Sequence, residues 1–246
     1  MILVIDDFEQ FKIFFDVVYE ITEYIELQLY KDYMICSILD KGHTRFMTVR
    51  FDSAFFTVYE VDDAESVTIF AEDLHKIIKS ANKIDSVRLE TNENYFIGKF
   101  ESDNGNSRIF EFVLPNEYIE TATPPSIDFP SKFNVSLDDI KQGIKDISII
   151  GSDEIRFTIN NNILSITVGT EVSTNYVYNV NVDCEVNNAL SCKFNLNYIE
   201  QILKFNKINK VVEFNIGDDM PLSYVVEDAF NTIKITGLIA PKLEDI

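Results

Sequence analysis

The sequence predicts an α+β protein built as a duplicated two-domain chain, and three observations carry that expectation. Four of the six prolines in the 246 residues (Pro115, Pro124, Pro125 and Pro130) fall between Leu114 and Ser131. Proline lacks an N–H and disfavours helix in the residue before it, so this stretch reads as an extended connector that divides the chain almost in half. Hydrophobic periodicity gives many short strands but only two amphipathic helices in each half, an inventory in which the helices pack together on one side of antiparallel sheet. Corresponding helices recur at an offset of roughly 124 to 129 residues, which is self-similarity on the scale of a domain. The expected boundaries are residues 1–114 for the first domain, 115–131 for the connector and 132–246 for the second domain.

In the first half an apolar strand over 2–5 precedes a helix over 8–21, and alternating runs give strands over 24–30, 34–39 and 45–51. A second helix over 71–81 leads into strands over 86–90, 95–100 and 108–113. The second half repeats this order. A strand over 132–135 meets Ser136, an N-cap for a helix to about 147, with Asp138 and Asp139 in the first turn where the helix dipole favours negative charge. Strands over 155–159, 164–168, 175–180 and 191–194 follow, the last running into a helix over 196–205. Strands over 210–215, 222–226 and 232–239 close the chain. Asp40-Lys41-Gly42, Asp103-Asn104-Gly105-Asn106 and Asn160-Asn161-Asn162 supply the chemistry of tight reversals.

Composition sets the broad class. With 46% hydrophobic residues the chain has enough apolar material for real cores, and its longest apolar runs are far too short to cross a bilayer. No segment resembles a signal peptide, so the expectation is a cytosolic protein with no membrane partner. Cys36, Cys184 and Cys192 form no CxxC pair and read as buried small apolar residues.

The chain carries a formal charge of -20, yet nine of its 21 basic residues sit in four amphipathic segments: Lys12; Lys76, Lys79 and Lys83; Lys141 and Lys145; Lys204, Lys207 and Lys210. Residues three or four apart share a helix face, so the last three segments present lysine stripes, an electrostatic footprint for a polyanion. At physiological salt the Debye length is about 8 Å, so acidic groups a domain's thickness away hardly act on a phosphate beside these lysines. Local charge wins over net charge.

Enzyme signatures are missing. The sequence has no GxxxxGK[ST] or GxGxxG phosphate loop, no HExxH and no GxSxG, and only two histidines, His43 and His75. His75 reads as a solvated neighbour of its lysine stripe. The pairs Asp62-Asp63, Asp138-Asp139 and Asp218-Asp219 fall where turns and helix starts favour aspartate, and Asp103 to Asn106 lacks the later ligands of a calcium loop. No metal or other cofactor is implied.

Three short segments resemble the sliding clamps of the proliferating cell nuclear antigen (PCNA) type. They are Leu238-Ile239-Ala240-Pro241-Lys242-Leu243-Glu244-Asp245, Asp219-Met220-Pro221-Leu222 before the penultimate strand, and Leu39-Asp40-Lys41-Gly42-His43 after the third. The length is similar to archaeal members, and the resemblance spans the whole chain in order. It implies a DNA-clamp fold that closes into a ring of three subunits, with twelve helices lining a hole for duplex DNA. The nine lysines would then neutralise phosphates without reading sequence, and the stripes contain no arginine suited to bidentate base recognition. The family further implies a subunit interface in which Arg108, Ile109, Phe110 and Phe112 of one copy pair with Asn175, Tyr176, Tyr178 and Val180 of the next. It also implies a pocket for short peptides of polymerase, ligase, nuclease and clamp loader, with matching positions Leu39, His43, Thr44, Phe46, Ile127, Pro221, Leu238, Ala240 and Pro241.

The chain departs from the family in two respects. The first helix carries only Lys12 among Glu9, Asp16 and Glu20, and Leu238 and Thr44 replace an aromatic and a more apolar residue. The implied function is a non-catalytic processivity factor of DNA replication and repair, nucleoid-associated in an archaeon or nuclear in a eukaryote. The alternatives are a specialised subunit of a heteromeric ring and, from another class, an acidic metal-dependent hydrolase using paired aspartates.

Overall fold

The structure is a computed structural model that describes residues 1–6, 8–61, 63–82, 86–102, 104–116, 122–168 and 176–242. The chain divides into two compact units. One comprises Met1–His43, Met47–Thr123 and Asp228–Ile235; the other comprises Thr44–Phe46, Pro124–Glu227 and Thr236–Ile246.

The first half of the chain runs β1 (Ile2–Ile5), α1 (Phe8–Tyr19), β2 (Tyr24–Tyr30), β3 (Tyr33–Leu39), β4 (Arg45–Asp52), β5 (Val58–Glu60), β6 (Glu65–Phe70), α2 (Ala71–Ser80), β7 (Ser86–Thr91), β8 (Tyr95–Glu101) and β9 (Ser107–Val113). Its strands lie in the orders β5-β1-β7-β8-β9 and β4-β3-β2-β6. The second half of the chain runs β10 (Ser131–Ser136), α3 (Leu137–Ile150), β11 (Glu154–Asn160), β12 (Ile163–Val168), β13 (Tyr176–Asn181), β14 (Leu190–Asn195), α4 (Leu196–Ile202), β15 (Val211–Ile216), β16 (Leu222–Glu227) and β17 (Ile233–Ile239). Its orders are β10-β15-β16-β17 and β13-β12-β11-β14. Apart from the extra β5, the two orders match strand for strand, so the duplication is one of topology. The ladders are antiparallel, as in β7 with β8 and β11 with β12.

Each unit buries one face of its helices against sheet. In the first, Phe11, Phe14, Phe15 and Val18 of α1 are buried, and the three rings pack with Phe51 of β4, Phe11 and Phe15 lying 4.5 Å apart by ring centroid. Aromatic side chains bury large areas and their tilted pairing adds to that, so this cluster dominates the unit's core. In the second, Leu137, Ile140, Ile144 and Ile147 of α3 do the same work, and Gly143 admits Ile166 of β12 close to the helix backbone. Ser136 caps α3, accepting from the Asp138 N–H at 3.2 Å. Gly151, at φ 82°, ends that helix in the left-handed conformation that glycine adopts without a Cβ penalty. The three cysteines are buried.

The structure corrects the sequence reading in three places. β5 and β6 are strands that the reading passes over; β6 leads straight into α2 with no turn residue or side-chain cap to mark the change. The Ala71 N–H is met instead by the Glu23 carbonyl at 2.9 Å, a tertiary cap invisible to local pattern. The helix read over 196–205 stops at Ile202 and continues as a 3-10 turn over Leu203–Lys207, and α3 runs on to Ile150.

Candidate nucleic-acid and partner interfaces

The helix pair of the first unit places Lys12 on α1 and Lys76 and Lys79 on α2; Lys83 lies outside the described residues. Lys79 is exposed and Lys12 half-buried. Both act on His75, whose pKa is pushed down first by burial and then by the Lys79 ammonium, with Lys12 adding to the effect and Asp16 opposing it. His75 is therefore no solvated neighbour, as the sequence suggested. It stacks on Tyr19 of α1 at 4.1 Å, nearly parallel, and its Nδ1 lies 3.3 Å from Asp16 Oδ1. Lys76 points elsewhere. Its ammonium meets Glu72 at 3.1 Å and Asp73 at 3.0 Å on its own helix and lies 5.9 Å from the Phe112 ring of β9.

In the second unit α3 carries segregated charge. Helix geometry puts Lys141, Lys145 and Asp138 on one flank and Asp139 and Asp146 on the other. The first flank faces the 3-10 turn, where Asn206 donates to Asp138 at 3.0 Å. Lys204 and Lys207 are exposed on that turn, and because i and i+3 side chains eclipse in 3-10 geometry, they stand in line. Lys210, expected to extend a helical stripe, lies beyond the turn, its carbonyl accepting from Leu137 N–H at 2.8 Å. Among the described residues, no group of three or more His, Cys, Asp or Glu is placed to hold a metal ion. Asp138 and Asp139 take side-chain donors, Asp218 accepts from Ser191 N–H at 3.1 Å, and Asp62 lies outside the described residues.

Two of the sheet-edge strands expose large apolar side chains. β9 ends one sheet of the first unit with Ile109 at 59% and Val113 at 66% exposure, and β13 ends one sheet of the second with Val177 at 61%. Phe110 and Phe112 are half-buried and stack 6.5 Å apart, while Arg108 donates to the Ser80 carbonyl at 2.8 Å and covers the Phe100 ring. On the other edge, Tyr176 and Tyr178 turn their hydroxyls to their own α3, donating to Asp146 at 2.8 Å and Asp139 at 3.2 Å. Burial and the Asp146 bond together push the Tyr176 phenol up to about 12. Val180 is buried in its own unit, and Asn175 lies outside the described residues. The sequence reading missed Val113 and Val177, because an exposed valine in an alternating strand looks like any inward one until the sheet edge is known. It missed Ile149 and Ile150 at the end of α3 as well, exposed although apolar.

A cavity of about 320 Å³ opens on the second unit. Phe46, Ile127 and Leu238 line it, as the sequence suggested, together with Pro124, Pro125 and Phe129 and three polar residues the sequence did not single out: Asn215, Ser223 and Thr236. Phe46 is also a core residue, only 6% exposed. Thr44, Pro221, Ala240 and Pro241 fall outside the lining although they belong to the same unit, and Leu39 and His43 belong to the first unit. Pro241 is held between two main-chain bonds, Ala240 N–H to Thr44 at 2.8 Å and Lys242 N–H to Lys193 at 2.7 Å. The Lys242 ammonium meets Glu154, which also faces Lys193 at 3.4 Å. Lys242, chiefly through its hydrogen bond, holds the Glu154 carboxyl below its ordinary range and is itself raised.

No family model matches the chain. Its sequence is 28% identical over 233 residues to the DNA polymerase sliding clamp of Methanothermobacter thermautotrophicus, covering 94% of this chain and 93% of that one. It is 27% identical, over the same shares, to the DNA polymerase sliding clamp of Methanobrevibacter smithii. The fold superposes at TM-score 0.86 on a chain of the PCNA2–PCNA3 complex of Sulfolobus tokodaii, at 21% identity, covering 99% of this chain and 100% of that one. PCNA from Thermococcus kodakaraensis gives the same TM-score at 18% identity, covering 98% and 99%. The duplicated architecture is thus the fold of those PCNA chains. The resemblance read from three short motifs extends along nearly the whole chain, to proteins named DNA polymerase sliding clamps.

Proposed function

We propose that this chain is a DNA sliding clamp, a processivity factor without catalytic activity that encircles duplex DNA and tethers replicative polymerase and other DNA-processing enzymes. The observation that carries this reading is similarity to sliding clamps over 94% of the chain, with the clamp fold intact in both halves. The exposed lysines of both helix pairs support a sequence-independent hold on phosphate. The domains read as residues 1–114 and 132–246, joined by a connector at 115–131. Self-association into a homotrimeric ring would use the open edges of β9 and β13, converting two liabilities into a head-to-tail contact. Ligase, nuclease and a separate clamp loader would dock by short peptides at the cavity of the second unit, and the ring would act in the cytoplasm beside the nucleoid.

The test is processive primer extension with the double variant Lys79→Glu, Lys207→Glu. Stimulation of polymerase should fall while native mass still reports an assembled ring; unchanged processivity would sink the assignment of these lysines. Likeness to a chain from a complex of two different clamp proteins gives the heteromeric ring a specific basis as a second reading. The same native-mass measurement separates the two, since a lone monomer favours the heteromer and a trimer the homomeric ring.

A further inference from the structure

The seam between α1 and α2 holds a titratable group beside two of the lysines. Lys12, Asp16 and Tyr19 follow one another at steps of four and three along one face of α1, and His75 and Lys79 stand four apart on α2. The His75 ring lies against Tyr19 with centroids 4.1 Å apart, and only 13% of its side chain is exposed. Its Nδ1 is 3.3 Å from Asp16 Oδ1, and both atoms are closed to solvent. A carboxylate oxygen facing Nδ1 favours the hydrogen there, which leaves Nε2 as the nitrogen that takes up a further proton. The charged groups that act on the ring are Asp16 and Lys12 from α1 and Lys79 from its own helix. Burial and the two ammonium groups disfavour the imidazolium, Asp16 favours it, and the sum holds the ring's proton affinity below that of an ordinary histidine.

Duplex DNA would reverse part of that balance. A phosphate against Lys12 and Lys79 brings negative charge to the two cations that oppose protonation and leaves Asp16 in place. We propose that His75 couples DNA to a proton: the imidazole is neutral in the free chain and becomes imidazolium, taking a proton from solvent onto Nε2, when phosphates come against Lys12 and Lys79. This rests on the reading of those lysines as a phosphate-binding face and adds a pH response to it. Coupling between two ligands is reciprocal, so whatever DNA adds to the ring's proton affinity is returned as a tighter hold on DNA at low pH. Stability moves the other way. Because the ring binds its proton more weakly in the folded chain than in the unfolded one, stability falls as pH drops through the ordinary histidine range. A histidine of purely structural importance would show that loss without the gain in DNA affinity.

The test follows the histidine ring signals of the whole protein, isotopically labelled at histidine, through a pH titration at low salt with and without a short DNA duplex. The chain has only two histidines, and His43→Asn, at a left-handed position that asparagine accepts, assigns the signals. The His75 midpoint should rise when duplex binds. The rise should make binding about three- to ten-fold tighter at about pH 5.5 than at about pH 8, over and above any change that His75→Gln shows. Melting curves of the free proteins should show the unsubstituted chain losing more stability than His75→Gln over the same span. A midpoint that bound duplex leaves unmoved overturns the coupling and leaves the lysines standing as a phosphate-binding face. An imidazolium at neutral pH in the free chain overturns the neutral starting state, and the proposal with it. If Lys12→Gln, Lys79→Gln leaves duplex affinity unchanged, the role of the lysines and this inference fall together.

Discussion

The two halves of the molecule reach one strand order by different means. In the first, α1 is fixed by aromatic packing: Phe11 lies 5.3 Å from Phe8, 4.5 Å from Phe15 and 5.3 Å from Phe51, and the second helix starts on a main-chain bond from Glu23 with no side-chain cap. In the second, the helices announce themselves locally. Ser136 and Asn195 cap α3 and α4, Gly151 ends α3, and the buried face is largely isoleucine and leucine. Local caps are each worth about 1 kcal/mol, whereas a buried phenyl is worth several, so the first half leans on tertiary packing and the second shares the load with its chain ends. Topology is thus the shared feature, and the source of stability is not.

That contrast can be broken by experiment. Phe11→Ala should cost about 3–5 kcal/mol, because the vacated volume is walled by other rings that cannot collapse into it. Thermal unfolding reads this, and a loss below about 1 kcal/mol would mean the aromatic cluster is not the keystone claimed. Ser136→Ala should cost about 1 kcal/mol in the same assay; a loss as large as that of Phe11→Ala would erase the difference between the halves. The smallest effect concerns Glu154. Its carboxyl pKa is depressed in the folded chain by Lys242, so its contribution is present above the unfolded carboxyl value and lost as pH falls through the folded one. Melting curves below about pH 5 should therefore fall more steeply for the unsubstituted protein than for Glu154→Gln. Because the pair is partly exposed, the difference should be modest and fade with added salt.

The same contrast explains what could be read from the sequence. The second half is the more legible: the cap at Ser136 stands where the sequence places it, and the 3-10 turn at Leu203–Lys207 reads as helix because its i, i+3 spacing cannot be told from an α-helix over so short a stretch. In the first half the start of α2 at Ala71 is legible, whereas the strands β5 and β6 before it are not. The lysine stripes were visible because period alone defines a helix face. Partnership was not, because whether Lys76 meets Asp73 or His75 meets Asp16 depends on rotamers and on the neighbouring helix. The polar lining residues Asn215, Ser223 and Thr236 escaped for a related reason, as three neighbouring strands bring them to one cavity.

The ion pairs of Lys76 have a thermodynamic corollary. A cation already neutralised by Glu72 and Asp73 displaces no condensed ion when a polyelectrolyte approaches, so it adds nothing to the entropy of mixing that drives such encounters. A plot of log affinity for duplex DNA against log salt should therefore be shallower than a tally of helix-borne ammonium groups would give, and Lys76→Gln should leave its slope untouched while Lys79→Gln flattens it.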